Sequence, residues 1–177
     1  DGSFDFLSIP QTYRHLIILG SLKGALDSTT NSLTLTFNGD SSAAYDWHYI
    51  LTETDDDSGV NFAASVAGPS FNRVNRTSGI IATTAGGNTA LAANLLMFTP
   101  VMILIPNYTS TQAQKVIECT TDAKGIRDGS TFDPTKWIIN RDAVHWAKQQ
   151  GVSRIQAYAT SGTSFEIRSE LALYGLG

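Results

Sequence analysis

One cysteine in 177 residues removes two options at once. Cys119 can form no intrachain disulfide, and a cysteine-based zinc site has no ligand set. Its setting, Val116-Ile117-Glu118-Cys119, is that of a small packed hydrophobe. Charge is scarce as well, with 16% of residues ionised against 42% apolar, and the net charge is −4. A phosphate-backbone partner needs clustered Lys and Arg, so no nucleic-acid partner is expected. No apolar run reaches the length of a membrane span, so no membrane insertion is expected. The three histidines, His15, His48 and His145, share no HxH or HxxxH spacing, and no metal or cofactor is expected of them. No serine sits in a G-x-S-x-G elbow, so an acyl-transfer triad has no anchor. The chain begins at Asp1 without a methionine, and preceding residues are expected to be cleaved or disordered.

What the chain has is β pattern. Tyr13 to Leu22 is a near-continuous apolar run, as in a strand covered on both faces. Leu33-Thr34-Leu35-Thr36-Phe37 alternates strictly and stops at Asn38-Gly39-Asp40, where left-handed backbone is cheap. Further strands are expected at Ser3–Leu7, Ala44–Leu51, Leu95–Ile105, Gln114–Cys119, Arg154–Ala159 and Ser164–Tyr174. Pro100 within the apolar run predicts an edge position or a bulge. Trp137–Trp146 reads as a strand, with a short helix capped by Asp142 as the alternative. Val60–Asn88 reads weakly, and Thr120–Pro134 reads as a long polar loop. A length of 177 residues suits one domain, 1–177. The expected fold is all-β, an antiparallel, jelly-roll-like sandwich of about eight to ten strands.

Chemistry is harder to place. Asp55-Asp56-Asp57 and the set Asp122, Asp128, Asp133 could donate oxygens to Ca²⁺, but neither matches the EF-hand loop, and solvated loops are the plainer reading. Paired carboxylates for glycoside hydrolysis cannot be chosen without a separation. Aromatic rings flanked by polar groups offer a way to hold sugars. Trp47 and Trp146 read as core, whereas Trp137 follows a polar stretch and stands open to either role. The candidate contact set is therefore Trp137 with Arg127, Asp128 and Asp133, brought together by one long segment.

Several blocks carry a family likeness. Phe4-Asp5-Phe6-Leu7-Ser8-Ile9-Pro10-Gln11-Thr12-Tyr13-Arg14-His15-Leu16 resembles an F-x-S-I-P-x-T-Y-x-x-L opening found in small β-rich virion proteins of tailed bacteriophages, many from marine and cyanobacterial hosts. Phe37-Asn38-Gly39-Asp40 with Tyr45 is similar to the family's F-N-G-D…Y block. Trp146 with Ser153-Arg154-Ile155, and Leu173-Tyr174-Gly175, are similar to its later blocks. The segment from Asp122 to Lys136 departs from the pattern. The resemblance implies a non-enzymatic virion protein of the tail fibre, tail tip or particle surface, active in host attachment and contacting other virion proteins. A capsid decoration protein is the alternative, and a glycan-degrading enzyme the competitor from another class. The resemblance also implies a homotrimer, as in fibre and spike domains, with the apolar run at Leu95–Ile105 sealing the subunit contact, and a host cell-surface glycan as the ligand.

Overall fold

The computed structural model describes residues 2–27, 30–55, 61–66, 73–87, 98–128, 131–160 and 164–177. Twelve strands run in chain order: β1 Ser3–Phe6, β2 His15–Asp27, β3 Thr30–Phe37, β4 Tyr45–Asp55, β5 Asn61–Val66, β6 Arg73–Arg76, β7 Gly79–Gly87, β8 Thr99–Pro106, β9 Lys115–Asp128, β10 Thr131–Trp146, β11 Ile155–Ala159 and β12 Glu170–Leu176. No α-helix occurs among the described residues. The chain is an all-β sandwich. The first sheet runs β1-β11-β3-β7, and the second β12-β2-β8-β9-β10-β4, with β5 and β6 both on the free side of β4. β2 belongs to both sheets. Its first half pairs β12 and β8 antiparallel, and its second half meets β7 in the one parallel ladder of the described chain, with Lys23 opposite Ala85.

Alternation decides which side chains meet between the sheets. Leu33, Leu35 and Phe37 of β3 are fully buried, as the strict pattern predicts. From the second sheet come Leu16, Ile18, Ile103, Ile105, Ile117, Val144 and Trp146, all at most 1% exposed. The Phe37 ring lies 5.3 Å from Trp146 and 6.3 Å from Tyr45 across the layers. Gly79 of β7 crosses directly over Val144, where a Cβ would overlap the valine side chain. That close approach needs a glycine.

The Phe37–Asp40 turn, Tyr45, Trp146 and the Ile9–Gln11 segment converge on one packed corner. Asn38 (φ 53°) and Gly39 (φ 70°) make the left-handed turn after β3, closed by Asp40 N–H donating to Phe37 O at 2.8 Å. Trp146 Nε1 donates to Asp40 Oδ2 at 2.9 Å, and Tyr45 Oη accepts from Phe37 N at 2.9 Å. The Asn38 amide links the turn to the stretch before β11: Oδ1 accepts from Ser153 N at 2.8 Å, and Nδ2 donates to Gly151 O at 2.8 Å. The Ile9-Pro10-Gln11 segment joins there too. Gln11 Nε2 donates to Val152 O at 2.9 Å, and the buried Tyr108 hydroxyl donates to Pro10 O. These motifs are turn and core devices.

Four expectations change. The stretch Thr120–Pro134 is not a loop: β9 runs to Asp128 and β10 starts at Thr131, in register with Thr131 opposite Asp128. Backbone pairing satisfies such a hairpin without an apolar face, so composition hid it. Pro134 sits where the register shifts between Asp133 and Trp137, a bulge that needs no proline donor. Pro100 lies in a central strand, second from its start, where β8 pairs β2 but the ladder to β9 begins only at Val101, so on that side it needs no donor. The weakly read stretch Val60–Asn88 contains β5, β6 and β7. Finally, Ser164–Tyr174 is not one strand. Arg168 is left-handed (φ 84°) and Ser169 N–H donates back to Glu166 O at 3.0 Å, so Ile167 turns outward at 88% exposure and β12 starts at Glu170. Residues 95–97 and Asp56-Asp57 lie outside the described residues.

Candidate functional site

The four residues singled out for ligand contact fall on one hairpin. Arg127 and Asp128 lie on β9, Asp133 and Trp137 on β10, with Phe132 opposite Arg127 and Trp137 opposite Lys124. The backbone therefore brings them onto two paired strands; their side chains lie outside the described residues. Asp122 stays exposed at the foot of this hairpin.

Towards the other end of β10 the inward row changes character. Asn140 and Asp142 are buried at 2% and 6% exposure, opposite Thr121 and Cys119 of β9. Asn140 Nδ2 donates to Asp142 Oδ2 at 2.7 Å, while Asn140 Oδ1 and Thr121 Oγ1 are buried without a hydrogen-bond partner. Burial pushes the Asp142 carboxyl up to about 7, against the opposing pull of the Asn140 bond. Burial, helped by the Asp142 charge, also pushes the Cys119 thiol up, so it is a packed and unreactive group. The histidines hold hydrogen bonds. His145 Nδ1 lies 3.0 Å from Asp46 Oδ2 and Nε2 lies 2.7 Å from Gln114 Oε1, and the imidazole beside Asp46 holds its carboxyl below the usual range. His15 Nδ1 accepts from Asn107 N at 3.1 Å. No hydroxyl or thiol nucleophile stands against the His145–Asp46 pair in these contacts.

The most extensive feature is the outer face of the second sheet. Register places Tyr174, Ile17, Leu104, Glu118, Ala143 and His48 in one row across six strands. The next row reads Ala172, Leu19, Met102, Thr120 and Arg141. The half over β12, β2 and β8 is apolar and open, with Tyr174 at 51%, Met102 at 48% and Leu19 at 40% exposure. The half over β9, β10 and β4 carries Glu118, Arg141 and His48, all exposed. Where the small Ala143 stands among them there is a dimple of about 170 Å³, lined by His48, Glu118, Thr120 and Arg141. A shallow groove of about 340 Å³ follows Leu19, Pro100, Met102 and Asp122 in the apolar half.

Sequence reasoning missed this face, although a signal was present. A strand reading as covered on both sides, like Leu16–Leu19, has its inner residues buried and its outer ones less so, Ile17 half-buried and Leu19 exposed. The chain matches no family model, no curated protein and no solved structure.

Proposed function

We propose that the chain is a non-enzymatic structural domain of a bacteriophage virion, displayed on the particle surface in a tail fibre or tail tip and used in host attachment. The observation that carries this reading is the likeness of its opening, F-N-G-D and closing blocks to small phage virion proteins, from Phe4 to Gly175. Its support in the fold is that the F-N-G-D turn, Tyr45 and Trp146 serve a single packed corner and bring no reacting group there. A wide exposed sheet face, part apolar and part charged, is in keeping with a module that works by contact with other virion proteins. Within this reading the β9–β10 hairpin, with Arg127, Asp128, Asp133 and Trp137, is the segment that meets a host glycan, since hydrogen-bonding groups there adjoin an aromatic residue.

Immunogold labelling of purified particles tests the proposal. Gold on the tail is the expected result, and particles without label overturn the virion assignment. Gold confined to the head replaces host attachment by capsid decoration. Release of reducing ends from host polysaccharide by the purified chain overturns the non-enzymatic part.

A further inference from the structure

We infer that the outer face of the second sheet is the contact surface for a second copy of this chain, packed face to face about a two-fold axis. The axis lies in the contact plane, runs across the strands, and passes between the two outward rows.

The face is self-complementary in shape under that operation. Each row of one copy then lies over the other row of its mate. Tyr174 covers Ala172 of the second copy, Ile17 meets Leu19, and Leu104 meets Met102. On the charged half, Arg141 lies over Ala143 of the second copy. Large side chains thus meet small ones at one position in each half of the rows, which favours close packing of two identical sheets.

It is self-complementary in charge too. The dimple over Ala143 is walled by Glu118 on one side and by the same copy's Arg141 and His48 on the others. An entering guanidinium from the second copy fills that space and reaches the carboxylate, and the symmetry makes the pair twice.

Area agrees. Strands spaced ~4.8 Å apart and outward residues ~6.8 Å apart make a face six strands by four rows cover on the order of 800 Å² per copy, the size of a standard stable interface. The sequence of β2, apolar at Leu16, Ile17, Ile18 and Leu19 alike, is then accounted for on both sides.

Sedimentation equilibrium of the 177-residue chain at micromolar concentration reads the result directly. Two-copy mass is expected. Arg141→Glu is expected to weaken the dimer about a hundredfold, Glu118→Arg likewise, and the double swap to return most of the loss. Both sites are exposed, so unchanged melting of the variants shows that folding is intact. A monomer overturns the inference, as does the three-copy mass of the fibre-like arrangement, whose head-to-tail contacts do not pair a surface with itself. A dimer indifferent to Arg141→Glu, or a double swap that fails to rescue, overturns it equally. The inference stands apart from the virion reading: gold on the tail together with a monomer in solution removes the two-fold contact and leaves that reading in place.

Discussion

The inner and outer faces of the second sheet come from the same strands and are both rich in apolar side chains, yet only one is closed. Along β2 and β8 the inner residues Leu16, Ile18, Val101, Ile103 and Ile105 are at most 3% exposed. Their outward neighbours Leu19 and Met102 stand at 40% and 48%. Alternation sorts residues between faces, but it does not require the outer set to be polar. The inner face is closed by the first sheet, whose Phe37 packs on Tyr45 and Trp146 of the second; the outer face has no layer over it among the described residues. The energetic consequence is that inner residues stabilise folding, while outer residues stabilise association if the proposed two-fold contact forms.

Substitutions can break that division. Trp146→Ala removes a fully buried indole that contacts Phe37 and Tyr45 and donates to Asp40, and is expected to cost ~3–5 kcal/mol of folding stability by chemical denaturation. A cost below about 1 kcal/mol would place Trp146 outside the core and dissolve the contrast. Asp142 sharpens the contrast through pH. Its carboxyl titrates at about 7 when folded and near ~3.9 when unfolded, so the folded state retains the proton between those values. Its contribution is therefore complete below about pH 4 and declines as pH rises towards 7. Asp5, Asp40 and Asp46 act oppositely, since their carboxyls are held low and their contributions fade only in more acidic solution. Asp142→Asn should flatten the decline and raise stability at pH 8 by ~2–4 kcal/mol, read as melting temperature against pH. A decline that survives the substitution would assign it to another group.

On the hairpin, Trp137→Ala is expected to weaken cell or glycan binding by ~1–3 kcal/mol and leave melting nearly unchanged. A loss of ~3–5 kcal/mol in stability instead would make that indole part of the interior. The smallest effect on folding is expected at Leu19→Lys. Measured on dilute protein it should stay within ~0.5 kcal/mol of the parent, because the residue is open to water in the single chain. A larger change would mean that the outer face is covered by the chain itself.

Much of the sandwich was legible because short-range rules govern it. Leu33, Leu35 and Phe37 alternate and are buried; Asn38-Gly39 turns left-handed; Trp137–Trp146 is a strand rather than a helix. Strand β7 was obscured because it opens on Gly79, which is needed where the strand passes over Val144 of β10, and runs on through Ala82-Thr83-Thr84, which carry little apolar pattern. The β9–β10 hairpin was obscured because strand pairing there rests on backbone bonds, while Gly125, Asp128-Gly129 and Pro134 all read as turn residues. In the last segment Ile167 shares its parity with Phe165 and Leu171, but the left-handed Arg168 resets the count. The outer rows could not be read at all without register, since Arg141 and Glu118 become neighbours of one dimple only after β9 and β10 are aligned.

The order in which strands pair has a consequence for how the chain comes to be folded. Ser3 pairs with Tyr158, and His15 with Leu176, so β1 and the first half of β2 take partners encoded more than a hundred residues later. A chain emerging from the ribosome thus carries Leu16–Leu19 for most of its synthesis with one flank of β2 unpaired. Such long loop closures place folding in the millisecond-to-second range typical of all-β domains. During that wait the apolar β2 is the segment most in need of shelter, so chaperone capture of nascent chains is expected to fall away once β12 has docked.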